Sequence, residues 1–358
     1  MRVLIAPSGF KESLNPVQAA DCIAKGVLRA DPDAEVRKLP LVDGGEGFVK
    51  GLVKATNGKL IDLTVTGPVG EPVQSHFGFL GDRDKTAVIE MAAAAGLRLV
   101  PPTHRDPTKT TTFGVGQTIL AALNAGAEHI LLGCGDSGTC DAGAGMIQAL
   151  GAKLVDTEGQ VLPHGCGIAG LESLNSIELS TLDARLTTVK IDVACNWHNI
   201  LCGPNGVARV FGPQKGASRE QVKLMSAAMD RCAEVMGSLI GCDISKAPGS
   251  GASGGLGAGL LLLGANLHPR YDIVRAFFRI DELMSDCQLV ITAEGGIDYQ
   301  TPRGKIPAEV AHRAKRRGLP VIALAGTIGE DAQVNYAAGI DAYASIMQCP
   351  TSLDQKGL

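Results

Sequence analysis

Glu294 and Asp298 stand four positions apart with two glycines between them, directly behind the apolar run Leu289 to Ala293, with Thr301 and Lys305 following. Carboxylates and a lysine at the end of a buried strand suit Mg²⁺–phosphate chemistry. The metal bridges phosphate oxygens, and the cation offsets charge that builds in the transition state. A polar turn with a capping acid would need the same residue types. Asp43-Gly44-Gly45-Glu46-Gly47 offers two more carboxylates at a loop-to-helix junction, a pattern that holds Mg²⁺ through one or two acids plus substrate oxygens. It equally suits acids placed at the positive end of a helix.

Three further segments carry polar groups among glycines. Lys11, in Ser8-Gly9-Phe10-Lys11-Glu12-Ser13, can meet a phosphate or a carboxylate, or simply sit in solvent. The loop Gly133 to Met146 holds Ser137 and Asp141. Its glycines let backbone N–H groups turn inward as an anion nest, although it lacks the Walker ending and does not fit GxGxxG. Asn196-Trp197-His198-Asn199 contains the sole tryptophan and runs on to Lys215 in Phe211 to Gly216. Cys195, His198 and Cys202 make a zinc-like CxxHxxxC, but no fourth ligand is apparent and Cys195 ends an apolar run. The glycine-rich run Pro248 to Gly259 leads into an apolar helix and is placed to wrap a nucleotide.

Most of these segments follow a predicted strand, and ligands of open α/β sheets sit beyond the carboxyl ends of strands. Val3 to Ala6, Ala87 to Met91, Ile130 to Cys134, Ile191 to Cys195, Leu289 to Ala293 and Val321 to Ala325 are unbroken apolar runs. Runs without alternation are buried on both faces, as in parallel sheets. Helices alternate with them. Asn15-Pro16 with Gln18 predicts one helix start, and Ser218 with Gln221 another. Val222, Met225, Met229, Cys232 and Met236 then repeat at helical spacing, the mark of core packing. Between Leu60 and Met91 alternation and Gly-Pro punctuation predict antiparallel strands.

The 358 residues exceed what one core usually serves, so two domains are expected. A net charge of −4 without a basic block argues against nucleic acid as partner. The densest basic stretch, Arg313 to Arg317, reads as a helix end capped by Gly318. Ten cysteines, no CxxC and no export signal predict reduced, buried thiols in a cytoplasmic protein. The longest apolar stretch, Leu256 to Leu267, is too short to span a bilayer, so no membrane partner is expected.

The order and spacing of the motifs resemble the bacterial glycerate kinase family of the two-domain α/β type, from Met1 to about Tyr343. The matching stretches are FKES at Phe10, VDGGEG at Val42, VTGPVG at Val65, TAVIEMA at Thr86, TTTFGVG at Thr110, DAGAGM at Asp141, FGPQKGA at Phe211, SGASGGLGAG at Ser250 and QTPRGK at Gln300. The resemblance implies a flavodoxin-like parallel-sheet domain made from residues 1–66 and 284–358. It implies an inserted α/β domain with a mixed sheet, residues 67–283, and an active site in the cleft between them. It also implies ATP and Mg²⁺, with D-glycerate going to 2-phosphoglycerate. On this reading Asp298, Lys305 and Asp43 are catalytic. Lys11, Ser137, Asp141, Asn196, Lys215 and Thr301 bind substrate or nucleotide, and Asp43, Glu46 and Glu294 hold the metal. A homodimer is compatible with the sequence.

The chain also departs from that family. The family usually has DSFKGS where Ser8 begins this loop, GGSATNDGG at Gly135 to Gly143, ACDVDNPL where Asn196, Trp197, His198 and Ile200 stand, and GEGRID where Ala293 and Gly296 stand. Glu12 and Asp136 are acids gained. These changes leave two alternatives open: the same chemistry on a different hydroxy acid, or a non-catalytic ligand-binding homologue.

Overall fold

A computed structural model describes residues 1–10, 13–41, 44–81, 85–270, 272–273, 280–303 and 305–347. The chain forms two compact units, Met1–Asp43 with Ile273–Leu358, and Gly44–Asp272.

The first unit opens with β1 (Arg2–Pro7), buried along nearly its whole length, and α1 (Pro16–Ala30). Asn15 caps α1 as its sequence predicts: the Asn15 side chain accepts from the Gln18 N–H at 3.0 Å, and the Gln18 side chain accepts from the Asn15 N–H at 3.0 Å. β2 (Glu35–Lys38) then pairs parallel to β1.

The second unit begins with α2 (Phe48–Ala55), followed by β3 (Lys59–Thr66), β4 (Pro72–Phe79) and β5 (Thr86–Glu90). β3 and β4 pair antiparallel along all eight residues, so β3 belongs to this unit. The break in the chain therefore falls at residues 43/44, where the sequence reading placed it at 66/67. Next come α3 (Ala92–Ala95), α4 (Phe113–Asn124), β6 (His129–Gly133) and α5 (Ala144–Ala149). A small antiparallel pair, β7 (Lys153–Asp156) and β8 (Leu174–Glu178), precedes β9 (Lys190–Cys195). α6 (Val207–Phe211), α7 (Arg219–Ile240), α8 (Ala252–Leu262) and β10 (Asn266–Pro269) complete the unit. The Ser218–Gln221 capping box is present at the start of α7, and Met225, Met229, Cys232 and Met236 are all buried on its inner face.

The chain then returns to the first unit as β11 (Leu289–Ile297), α9 (Ile306–Arg316), β12 (Val321–Ile328) and β13 (Ala342–Ser345). α9 ends as its basic residues and Gly318 predict, although Arg313 is buried and paired with Glu309 and Asp281 rather than solvated.

The first unit's sheet runs β13-β12-β11-β1-β2, all parallel. Counted within the unit this is the 2-1-3-4-5 order of the flavodoxin-like fold. The second unit's six-stranded sheet runs β10-β9-β6-β5-β4-β3, parallel from β10 to β5 and antiparallel at β5-β4-β3. The mixed sheet follows from the change of pattern after Leu60: a half-exposed, alternating strand such as β3 (Lys59–Thr66) tolerates an edge, whereas the unbroken apolar runs need cover on both faces. No helix among the described residues is long and apolar enough to cross a membrane.

Candidate active site

In the first unit, strand order reverses between β1 and β11. The chain leaves their carboxyl ends in opposite directions, which opens the crevice where ligands of this fold bind. The Ser8 N–H donates to the Ala293 carbonyl at 2.7 Å and ties the two strand ends together. Glu294 lies at this end, and Asp298 follows just after β11. The Lys305 ammonium donates to Asp298 Oδ1 at 3.2 Å and to the Gly296 carbonyl at 3.3 Å. Oδ1 also accepts the Gln300 N–H at 2.8 Å, so the capping turn and the ion pair coexist on one oxygen. Thr301 is fully buried, and its hydroxyl accepts the Asp298 N–H at 3.1 Å. Asn335 donates to the Asp298 carbonyl at 3.0 Å from the far side. The loop is thus fixed by four partners, while among the described residues Asp298 Oδ2 has no hydrogen-bond partner. Lys11 and Asp43 lie outside the described residues.

In the second unit, the loop after β6 is built on buried carboxylates. The Asp141 carboxylate accepts from the Thr112 N–H at 2.7 Å, the Thr112 hydroxyl at 2.8 Å, the Gly145 N–H at 3.1 Å and the Gly143 N–H at 3.3 Å. Thr112 in turn accepts the Met146 N–H at 3.0 Å. Burial pushes the Asp141 carboxyl pKa upward, against the pull of these donors. The anion held by this nest is therefore the chain's own carboxylate, and the TTTFGVG and DAGAGM stretches are two halves of one knot. Gly145 is required there, because a Cβ would lie 2.1 Å from the Thr111 hydroxyl. Glu90 does the equivalent at α2: its carboxylate accepts from the Gly47 N–H at 3.3 Å and the Val49 N–H at 2.9 Å, capping a helix that has no side-chain cap of its own.

Three residues other than glycine hold left-handed backbone around this loop: Asp136 (φ 49°), Ala142 (φ 56°) and Ser253 (φ 51°). Such strain persists only where surrounding packing over-determines it, and it concentrates at functional sites. The glycine run at Ser250 supplies that packing, since a Cβ at Gly254 would lie 1.8 Å from the Thr139 carbonyl. Lys215 is 3% exposed, and its ammonium donates to Ser137 Oγ at 2.8 Å and the Thr139 carbonyl at 2.7 Å. Among the described residues no carboxylate lies within 4.0 Å of it. Beyond β9, Asn196 accepts the His198 N–H at 3.2 Å, and Trp197 is half-exposed.

A whole-chain family model, described as the glycerate kinase family, matches residues 3–356. The chain belongs to the glycerate kinase family. It is 48% identical over 348 residues to a glycerate kinase of Bacillus subtilis (strain 168), covering 97% of this chain and 90% of the relative. It is 46% identical over 356 residues to a glycerate 2-kinase of Escherichia coli (strain K12), covering 99% and 93%. A Salmonella typhimurium LT2 crystal structure, provisionally described as glycerate kinase 2, superposes with a TM-score of 0.79 at 43% identity, covering 99% of this chain and 94% of that one.

Within this glycerate kinase scaffold the anticipated residues fall into distinct environments. Asp298, Lys305 and Thr301 form one connected cluster, with Glu294 at the end of the strand that leads into it. Ser137 and Lys215 form another. Asp141 is structural by its contacts. Glu46 belongs to the second unit, where its carboxylate meets the Arg98 guanidinium at 3.2 Å and its N–H donates to Asp136 at 3.1 Å. Asp43 and Glu294 belong to the first. Among the described residues no group of three or more His, Cys, Asp or Glu side chains is gathered as a metal site. Cys195 and Cys202, the sulfurs of the zinc-like pattern, are buried thiols whose pKa values burial pushes to about 12. Sequence reading missed Glu90 and Thr112, because each acts on a stretch distant in sequence.

Proposed function

We propose that the protein transfers the terminal phosphoryl group of ATP to the C2 hydroxyl of D-glycerate, releasing ADP and 2-phosphoglycerate. Membership of the glycerate kinase family along the whole chain carries this reading. The chemistry of the β11–α9 loop supports it. The glycerate oxygen forms a bond to phosphorus while the bond to the ADP leaving oxygen breaks, and the hydroxyl proton must go to a base. Asp298 Oδ2 is assigned that role, because Lys305 and the Gln300 N–H hold the other oxygen and Oδ2 has no hydrogen-bond partner among the described residues. Lys305 also offsets charge on the transferring group. Thr301 and Asn335 act on the backbone of Asp298 and so position it rather than touch substrate.

Asp43, Glu46 and Glu294 present the hard oxygen donors that Mg²⁺ prefers, so the residue types fit the ion. Mg²⁺, when bound with the nucleotide, supplies charge neutralisation across the phosphates. Glu46 would have to share its carboxylate with Arg98. Lys11, Ser137, Asn196 and Lys215 are retained as binding groups for nucleotide or glycerate.

The test is an ADP-release assay with purified protein, ATP, Mg²⁺ and D-glycerate, with the phosphorylated carbon identified by NMR. Turnover to 2-phosphoglycerate is expected. Folded protein that shows no turnover above background would overturn the reading.

A further inference from the structure

The loop after β6 carries an acid on backbone that glycine would take more easily. Asp136 holds φ 49°, in the left-handed region. Its neighbours leave it little choice. The Leu97 N–H donates to the Asp136 carbonyl at 2.9 Å and the Gly138 N–H to the Ala95 carbonyl at 2.9 Å, so one side of the loop is pinned to the end of α3. The other side lies against the start of the second unit: a Cβ at Gly135 would stand 2.6 Å from the Gly45 Cα. Glycine at position 136 would satisfy the same backbone without strain, so the acid side chain points to a task of its own.

That task is visible in its contacts. Asp136 Oδ2 accepts the Glu46 N–H at 3.1 Å. The Glu46 carboxylate meets the Arg98 guanidinium at 3.2 Å. Arg98 sits in the short turn Leu97–Leu99, directly after the residue whose N–H is bonded to the Asp136 carbonyl. Asp136 therefore holds Glu46 in two ways. Its side chain fixes the Glu46 backbone, and its carbonyl fixes the turn that bears the partner of the Glu46 carboxylate. Glu90 secures the N–H groups that follow, those of Gly47 and Val49, and so anchors α2 rather than Glu46. The Glu46 side chain is 39% exposed, so a ligand from solvent can reach it.

We propose that Asp136 is a positioning residue for Glu46, holding it in place for a divalent cation that arrives with the nucleotide. The inference rests on the assignment of Glu46 to Mg²⁺ in the phosphoryl-transfer reading. Groups that orient a metal ligand from behind typically contribute ten- to a hundredfold in metal affinity, about the scale to look for here. Asparagine at 136 would keep an acceptor oxygen in the same place and also tolerates left-handed backbone. Glycine would relieve the strain and lose the acceptor.

The experiment needs no turnover. The full chain and its Asp136→Gly, Asp136→Asn and Glu46→Gln variants are titrated calorimetrically with ADP, once with Mg²⁺ and once with EDTA, alongside thermal unfolding. In the unaltered protein Mg²⁺ should tighten ADP binding. Asp136→Gly should weaken binding with Mg²⁺ by about tenfold or more, while affinity in EDTA stays within about twofold. Its Tm should stay near that of the unaltered protein, because released strain offsets the lost hydrogen bond. Asp136→Asn should restore most of the Mg²⁺ effect. A Mg²⁺ effect that survives Asp136→Gly but not Glu46→Gln would overturn the positioning role and leave Glu46 as a metal ligand. An effect that survives Glu46→Gln, or is absent from the unaltered protein, would remove the metal reading of Glu46 and this inference with it. Asp136→Asn losing as much as Asp136→Gly would overturn positioning in favour of direct action by the Asp136 charge. A steep fall in Tm for Asp136→Gly, with affinity lost equally in Mg²⁺ and EDTA, would reduce Asp136 to a structural contact.

Discussion

Asp298 and Lys305 lie close enough to share a hydrogen bond, yet their roles separate experimentally. Asp298→Asn removes the proton acceptor with little change in size. If Oδ2 takes the glycerate proton, kcat should fall by about 10²-fold or more while the KM for ATP moves little, as expected for a group that acts in the transition state. Lys305→Met keeps most of the apolar stem but removes the cation that offsets charge on the transferring group, so kcat should fall by about 10²-fold. Were Asp298 merely the cap of the Gln300 turn, both variants would lose roughly 1 kcal/mol of stability and keep near-wild-type rates. Steady-state kinetics with parallel thermal unfolding distinguish the two.

At the level of elements, the strands of the second unit are locked by a charge cluster away from the loops discussed above. Asp192 on β9 meets Lys190 at 2.6 Å on its own strand, His129 at 2.8 Å on β6 and His268 at 2.9 Å on β10. Burial opposes ionisation of Asp192, but these donors outweigh it and bring its pKa from 3.8 to about 2. An acid depressed in the folded state stabilises above its unfolded pKa, and that contribution is lost as pH falls through the folded value. Asp192→Asn should therefore lower Tm at neutral pH. The gap from wild type should close as pH falls from 3.8 towards about 2. Thermal melts at stepped pH read this directly; a gap that stays constant through that range would remove Asp192 as the stabilising charge.

For the whole molecule, the decisive fact is connectivity. The second unit is one uninterrupted stretch, Gly44–Asp272, with a large buried core of its own, whereas the first needs both chain ends to complete its sheet. A continuous unit with its own core can fold alone. A fragment of residues 44–272 should unfold cooperatively. It should show no glycerate turnover, because Asp298 and Lys305 are absent. Circular dichroism melts check the first, and the ADP-release assay checks the second. A fragment that turned over glycerate would displace the β11–α9 loop from the mechanism.

Local chemistry was enough to determine much of this protein. Unbroken apolar runs determined the parallel strands, because only burial on both faces suits them. Asn15 with Gln18, and Ser218 with Gln221, determined two helix starts, because a capping box lies within four consecutive residues. The β11–α9 cluster was legible for the same reason: Asp298, Thr301 and Lys305 are close in the chain. Tertiary structure alone decided the rest. The loop from Gly133 to Met146 reads as a nest for an external anion until the Asp141 carboxylate is seen to fill it, held also by Thr112, 29 residues earlier. Glu90 reads as a strand residue until it caps a helix 41 residues upstream. Lys215 reads as a loop cation that could bind a phosphate or a carboxylate, and only the fold shows its ammonium buried against Ser137 and the Thr139 carbonyl. That is a property of what surrounds a side chain in space, and here the surroundings come from a stretch 78 and 76 residues away in the chain.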